Sequence, residues 1–309
     1  MILESLTPLF TSAMAAAIPL LLAAQGELVT ERSGVLNLGL EGMMLLGALA
    51  AFAVVFHGGG LWLAAGAGCL AGALAALVFG VLTLSLQANQ VATGLSLTIL
   101  GSGVSAFLGR SYVGNPAAAS FPDLPIPWLV DLPLVGRALF GMNILGYFAL
   151  AMIAATAWFL YKSRPGLILR SIGESPVVAR SLGLPVIGVR YLATLYGGAM
   201  AGLAGCYYAV AQFKMWQEGL TSGNGWIALA LVVFASWRPG RLVIGALLFG
   251  GVSALGLYLQ AVGVHVSAFA LSSLPYVATV VVLAAISRDQ RAQKRNAPAS
   301  LGQPFFASS

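Results

Sequence analysis

Long runs of apolar residues dominate the sequence, and short polar stretches separate them. Runs close to the roughly 20 residues needed to cross a bilayer occur at 8–26, 35–56, 61–84, 90–108, 142–161, 191–213 and 241–260. Shorter apolar runs occur at 225–237 and 273–286. The pattern predicts an all-α membrane protein, a polytopic bundle of about eight to ten transmembrane helices with one or more short or broken spans.

The run at 225–237 is too short to cross a bilayer upright, because an α-helix rises only about 1.5 Å per residue. Gly223, Asn224 and Gly225 directly precede it. Transporters contain broken helices where the irregular backbone is buried in protein or lines a watery cavity. Two interpretations are open here: a broken span of this kind, or an ordinary loop followed by a tilted helix.

Glycine is abundant, with 38 of the 309 residues. Gly68 and Gly72 are four residues apart, and so are Gly198 and Gly202. Small residues at this spacing let helices approach each other closely in lipid. The glycine pairs therefore indicate a compact helical bundle.

Composition excludes a soluble domain and several kinds of site. Hydrophobic residues make up 59% of the chain and charged residues 8%, whereas soluble domains are about 25% charged. A phosphate-binding loop would end in Gly-Lys-Ser or Gly-Lys-Thr, but Lys162, Lys214 and Lys294 follow Tyr, Phe and Gln. His57 and His265 have no second ligand at metal-binding spacing. We therefore expect no catalytic site, no ATP hydrolysis, no cofactor and no metal in this chain.

The basic residues predict the orientation of the bundle. Alternate loops and the C-terminal tail hold 12 of the 15 lysines and arginines. These loops lie at 27–34, 85–90, 162–190 and 238–241. Cytoplasmic loops carry such an excess of basic residues, so we expect the N-terminus outside and the C-terminus in the cytoplasm. Residues 1–286 would form one membrane domain, and residues 287–309 a basic, disordered cytoplasmic tail.

Two polar side chains interrupt the apolar run that begins at residue 35. Asn37 and Glu41 are four residues apart, so on a continuous helix they share one face at about 6 Å. A carboxylate well inside a bilayer costs a few kcal/mol even on lenient insertion scales, so Glu41 should face the bundle interior or a cavity. Two roles are open for it: a hydrogen bond to a neighbouring helix, or a place on a transport pathway.

A second polar face begins at residue 89. Asn89, Thr93 and Ser96 recur at spacings of four and three, beside Gln90. Their amides and hydroxyls suit a neutral, hydrogen-bonding solute better than a bare ion. The candidate solute pathway therefore consists of Asn37, Glu41, Asn89, Gln90 and Thr93.

The connection at 162–190 is long for a helical bundle and holds five basic residues. Its middle has the signals of a helix of about two turns from Pro176 to Leu182. Ser175 suits the N-cap, Pro176 suits the first helical position, and Gly183 suits the left-handed position after the last turn.

This loop helix carries apolar side chains, Val177, Val178 and Leu182, beside Arg180. Two interpretations are open. The helix could rest on anionic lipid as a basic amphipathic segment. Alternatively, it could insert into a groove of a cytoplasmic partner, which would supply the ATPase that this chain lacks.

Four stretches of the sequence carry a family resemblance: ERSGVLNLGLEGMMLLGA, ANQVATGLSLTILGSG, GLILRSIGESPVVARSLGL and GWIALALVVFASWRPGRLVIGALLFGG. In this order they resemble the permease subunits of bacterial ABC importers of the branched-chain amino acid and simple-sugar class. The resemblance covers most of residues 10–286. It is strongest to the smaller permease of nucleoside importers that work with a lipoprotein binding protein, and Glu41 in NLGLEG favours nucleosides or related purine compounds.

The resemblance implies a multi-pass subunit of an ATP-driven importer in the bacterial inner membrane, working by alternating access. A second permease would complete a heterodimer, an extracytoplasmic lipoprotein would deliver the solute, and cytoplasmic subunits would bind ATP and magnesium. Membrane lipid is the remaining partner, and nucleic acid is not expected. The loop helix would be the coupling helix on the ATPase, with the coupling residues Gly173, Glu174, Ser175, Pro176, Ala179 and Gly183.

Other functions stay open at this stage. Permeases for branched-chain amino acids or simple sugars belong to the same class. A proton-coupled secondary transporter, with Glu41 as its titrating group, would need neither an ATPase nor a docking helix. A scaffold or membrane enzyme would need a site for which the sequence has no positive signal.

Overall fold

The computed structural model describes residues 2–133, 135–221, 223–261, 268–286 and 296–306. Within these ranges the regular elements are helices, joined at a few points by isolated β-bridges. The helices are α1 (Ile2–Arg32), α2 (Leu40–Phe56), α3 (Leu61–Gly80), α4 (Gln90–Gly109), α5 (Gly136–Phe140), α6 (Ile144–Lys162), α7 (Arg164–Glu174), α8 (Pro176–Ser181), α9 (Val186–Cys206), α10 (Asn224–Phe234), α11 (Pro239–Ala261) and α12 (Ala268–Ile286). Short π-helical segments continue α3 and α9, at Val81–Ser85 and Tyr207–Gln212.

Six helical segments of the described chain are long and apolar enough to cross a membrane. They are Thr7–Arg32, Leu61–Ser85, Gln90–Tyr112, Ile144–Lys162, Val186–Gln212 and Pro239–Gln260. Two further apolar helices, α2 and α10, are shorter. The short span predicted at 225–237 is α10, which has only 11 residues. The prediction of an all-α, polytopic membrane protein is confirmed.

Helices α1, α2 and α9 form the centre of the bundle. Helix α9 packs against α1, α2 and α3, and α11 packs along α1. Every residue from 17 to 35 is buried, including the polar side chains of Gln25, Glu27 and Thr30. Helix α4 is the least buried of the six long apolar helices. Glu27 Oε1 and the Thr30 hydroxyl have hydrogen-bond partners inside the protein, whereas the Gln25 amide and Glu27 Oε2 have none among the described residues. Helix α4, by contrast, leaves much of its surface open.

The two glycine pairs bring α3 and α9 into direct backbone contact. A Cβ atom at Gly72 would lie 2.9 Å from the Cα of Gly202, and one at Gly68 would lie 3.1 Å from the Gly202 carbonyl oxygen. A Cβ at Gly198 would lie 2.5 Å from the Gly72 carbonyl oxygen. Side chains larger than hydrogen do not fit there, so the close helix approach indicated by the glycine spacing is confirmed.

The bundle has two distinct ends. What we call the basic end comprises the last turn of α1, helices α7 and α8, the start of α11 and residues 296–306. These segments are joined by hydrogen bonds from Arg32 to Trp237 and Asn296, and from Ser300 to Gly173. At the opposite end the segment after α4 is held by β-bridges, one of which pairs Val113 with Trp216.

Candidate functional site

The Glu41 carboxylate lies at the start of the short helix α10. Its Oε1 accepts hydrogen bonds from the Thr221 hydroxyl and from the Gly223 N–H, the latter at 2.9 Å. Its Oε2 accepts from the Gly225 N–H at 2.6 Å. The side chain is only 7% exposed. Both carboxylate oxygens are thus bonded within the protein.

The placement of Glu41 has a simple physical cause. The first N–H groups of an α-helix have no partner within the helix, and inside a membrane domain no bulk water replaces that partner. A carboxylate at this position both accepts those hydrogen bonds and interacts favourably with the positive end of the helix dipole. The contacts favour the structural role for Glu41, and its place on a solute pathway stays a prediction.

Asn37 does not share a helical face with Glu41, so that part of the sequence interpretation is wrong. Helix α2 begins at Leu40, and Asn37 lies in the preceding turn. The Asn37 Oδ1 accepts from the Gly39 N–H at 3.0 Å, and the Asn37 N–H donates to Glu27 Oε1 at 3.1 Å. An Asn side chain that bonds its own backbone two residues on forms a turn in place of a helix.

The candidate pathway residues of α4 separate into two groups. Gln90 is buried, and its Oε1 accepts from the Leu36 N–H at 2.8 Å, next to Asn37. Asn89 is exposed and caps α4, accepting from the Ala92 N–H at 3.0 Å. Thr93 is half-buried. The structure thus places the Gln90 side chain against the turn that contains Asn37. Asn89 and Thr93 lie on the more open side of α4.

A buried pair of carboxylates lies within residues 27–34, which the sequence predicts to be a loop. Helix α1 continues to Arg32, and Glu27 and Glu31 are both buried. Glu31 Oε2 accepts from the Trp237 indole N–H at 2.5 Å, while Arg32 donates to the Trp237 carbonyl at 2.8 Å. The spacing of four between the two glutamates was the signal that could have indicated one helical face.

The disorder predicted for the tail is wrong for residues 296–306, which pack on the basic end; residues 287–295 and 307–309 lie outside the described ranges. The Ser300 hydroxyl and N–H both donate to the Gly173 carbonyl, at 2.7 and 3.0 Å. The Gly302 N–H donates to the Gly34 carbonyl at 3.2 Å. Arg190, itself buried, donates to the Ser33 carbonyl and to Ser300 Oγ, each at 3.1 Å. These buried partners order the segment although its composition is typical of disorder.

Helix α8 has the start and end signals that the sequence indicates. Ser175 Oγ accepts from the Val178 N–H at 3.4 Å, and Pro176 is the first helical residue. Gly183 has a φ of +79°, and its N–H donates to the Arg180 carbonyl at 2.8 Å. The helix ends at Ser181, one residue before the predicted end.

Helix α7 precedes α8 and was not expected. Ser163 caps it by accepting from the Gly166 N–H at 3.0 Å, and Pro165 lies in its first turn. Its Ile172 forms a small buried cluster with Ala179 of α8 and Val186 of α9. This cluster fixes α8 on the bundle through Ala179.

The opposite face of α8 is exposed and apolar. The exposed fractions are 68% for Val177, 56% for Val178 and, directly after the last helical residue, 73% for Leu182. Among the predicted coupling residues, Gly173 does not belong to this face. Its carbonyl accepts the two hydrogen bonds from Ser300. Glu174 lines a groove beside Arg32. Helix α8 thus presents an exposed apolar surface at the basic end and packs on the bundle through Ala179.

Comparison with known proteins decides the family. Residues 9–286 match the model of the permease component of the branched-chain amino acid transport system. The chain belongs to this permease family. It is 42% identical to the putative glucose ABC transporter permease protein of Haloferax volcanii over 297 residues, which cover 89% of this chain and 90% of that protein.

Two further relatives of this permease are 31% identical to it. One is the guanosine ABC transporter permease protein of Bacillus subtilis, where the match covers 99% of this chain and 98% of the relative. The other is the nucleoside ABC transporter permease protein of Lactococcus lactis, with 86% and 88% covered. The chain is an ABC transporter permease and a multi-pass membrane protein, in a family whose members work with ATPase and substrate-binding partners.

Proposed function

We propose that this permease is one subunit of an ATP-driven importer of nucleosides or related purine compounds. The observation that carries the coupling part of the proposal is the exposed apolar face of α8, held on the bundle by Ala179. An apolar helix face of this kind fits a groove in a partner protein. The partner would be the ATP-binding subunit, which would hold ATP and magnesium, so that this chain has no catalytic role of its own.

The nucleoside assignment is supported by the two relatives named for guanosine and nucleoside transport. Simple sugars are the second candidate, because the 42% identical relative is named as a putative glucose permease. The family description adds branched-chain amino acids as a third solute class. Nucleosides and sugars share the polyhydroxyl chemistry that the amide and hydroxyl of Asn89 and Thr93 can bind.

The subunit arrangement is also a proposal. A second, different permease would pack on the open side of α4, where Thr93 and Ser96 keep polar groups accessible, and the solute would pass between the two permeases. The excess of basic residues at the basic end supports a cytoplasmic position for α8 and the C-terminus. A solute-binding lipoprotein would then dock on the opposite, outer end.

The proposal is tested by uptake into cells that express this chain with its partner subunits. Radiolabelled guanosine, glucose and leucine are supplied separately, and we expect saturable uptake of guanosine that requires ATP. Uptake of glucose or leucine without uptake of guanosine would show that the proposed solute is wrong, while the proposed role as a permease of an ATP-driven importer would stand. Uptake that collapses with an uncoupler while ATP is held constant would contradict the ATP-driven mechanism in favour of proton coupling.

The coupling surface is tested by the double variant Val178→Asp, Leu182→Asp. Both side chains are exposed, so the fold should persist, whereas burying two charges in an apolar contact costs at least about 2 kcal/mol. Binding of the ATP-binding subunit, measured with purified proteins, should weaken about 30-fold, and solute-stimulated ATP hydrolysis should be lost. Leu132→Asp, an exposed apolar position at the opposite end, is the matched control. Unchanged binding in the double variant would exclude α8 as the docking helix.

A further inference from the structure

A groove lined by both charged and apolar side chains opens at the basic end. Its volume is about 750 Å³, and it lies between α6, α7 and the start of α11. Its charged lining consists of the arginines Arg32, Arg170, Arg238 and Arg241. Glu174 is the only carboxylate that lines the groove in the described part of the chain. The groove therefore carries a net positive charge at one end of the membrane bundle.

The four arginines differ in how many of their guanidinium N–H groups have hydrogen-bond partners within the protein. The Arg32 guanidinium donates hydrogen bonds to the carbonyls of Trp237 and Asn296. Arg170 stacks over the Tyr161 ring at 5.3 Å, and its buried Nε has no hydrogen-bond partner among the described residues.

At the mouth of the groove, the side chains of Arg238 and Arg241 make no hydrogen bond or ion pair within the described ranges. Like charges gathered in a partly shielded groove repel one another, and a bound anion removes that repulsion. Guanidinium groups also match the geometry of phosphate, which they bind through two parallel hydrogen bonds. The arginine side chains of the groove are thus complementary to a phosphate group.

The apolar lining shows what else the ligand must carry. It consists of Ala157 of α6, Leu167 of α7 and Ile244 of α11. Leu167 is 57% exposed and Ile244 is 63% exposed. Because α6 and α11 are long and apolar enough to cross a membrane, the part of the groove along Ala157 and Ile244 would face hydrocarbon, and the arginines near the helix ends would lie at the level of lipid headgroups. A ligand that contacts both kinds of side chain needs an anionic head and an acyl chain.

We propose that this groove is a binding site for an anionic phospholipid, such as phosphatidylglycerol. Its phosphate is bound by Arg170, Arg238 and Arg241, and one acyl chain lies along Ile244. Basic pockets between transmembrane helices bind anionic headgroups in this way. Because Arg170 belongs to α7, which leads directly into α8, the bound lipid braces the segment that carries the coupling helix. The binding itself does not depend on the proposed solute or on the proposed ATPase partner.

The experiment measures lipid binding by the full-length protein in zwitterionic detergent, by native mass spectrometry with added phosphatidylglycerol, phosphatidylcholine or inorganic phosphate. Wild type should retain phosphatidylglycerol in preference to phosphatidylcholine. The double variant Arg238→Gln, Arg241→Gln should bind phosphatidylglycerol roughly 30-fold more weakly. The matched control is Arg164→Gln, which removes an exposed arginine of α7 outside the groove and should bind as wild type does.

A second variant separates the lipid from a free phosphate. Ile244→Asn places an amide among the apolar side chains that line the groove, so it should weaken phosphatidylglycerol binding and leave the effect of inorganic phosphate unchanged. Equal lipid binding by wild type and the double arginine variant would overturn the proposal. Competition by millimolar phosphate with no preference for phosphatidylglycerol would reassign the groove to a phosphate site. If the double arginine variant bound lipid as wild type does but no longer bound the ATP-binding subunit, the groove would be a contact site for that subunit.

Discussion

Replacing Glu41 by glutamine is expected to lower the free energy of unfolding by roughly 2–4 kcal/mol. The glutamine keeps one acceptor oxygen for Thr221 and Gly223, but its NH₂ group points a donor at the Gly225 N–H, which is itself a donor. The substitution also removes the negative charge from the start of α10. The measurement is the melting temperature of the purified protein in detergent, which should fall by about 5 °C or more.

The matched control for this prediction is Glu218→Gln, since Glu218 is exposed and its charge lies outside the hydrogen bonds of α10. It should melt as wild type does. A Glu41→Gln protein of wild-type stability that no longer supports uptake would contradict the capping role and place the carboxylate on the solute pathway. The two roles left open by the sequence are thereby separated, because only the capping role changes the stability of the isolated chain.

Glu41 also shows how far local sequence patterns reach. An apolar run with a single carboxylate correctly indicates that the carboxylate is buried, since exposure to lipid would cost several kcal/mol. The partner of Glu41, however, begins at Thr221, about 180 residues along the chain. No periodicity or spacing within the run at 35–56 contains that information.

The difference between local and distant partners also explains which of the other features could be predicted from the sequence. The start and end of α8 could be predicted because Ser175, Pro176 and Gly183 act on backbone groups only a few residues away. The turn at Asn37 was missed although its Oδ1 accepts from Gly39 only two residues on, because asparagine is compatible with both a turn and a helix; its N–H also bonds Glu27, outside that local pattern. Order in residues 296–306 depends on Gly173, more than 120 residues distant.

The basic end is joined by interactions that are individually distant in sequence. Trp237 is held from both sides by consecutive residues of α1, through its indole by Glu31 and through its carbonyl by Arg32. Arg190 of α9 joins the turn after α1 to Ser300. Because Ser300 also donates to Gly173 of α7, the segment that precedes α8 is in contact, through Ser300 and Arg190, with α1 and α9, the central helices of the bundle.

The second large effect is expected at the contact between α3 and α9. A Cβ atom at Gly202 would collide with the Gly68 carbonyl and would lie 3.1 Å from the Cα of Gly72. Backbone atoms of packed helices cannot move aside without separating the helices, so Gly202→Val should cost at least about 3 kcal/mol. We expect little folded protein in the membrane fraction, and a melting temperature well below that of wild type for whatever is recovered.

The contact between α3 and α9 supplies its own control. Gly66 lies on α3 near Gly68, but a Cβ there would meet open space, so Gly66→Val should accumulate to the wild-type level. Both variants add the same β-branched side chain to a spanning helix, and both lose the same backbone freedom. A difference between them therefore measures the close approach of the two helices. Equal accumulation and equal melting temperatures would show that α3 and α9 do not pack through these glycines.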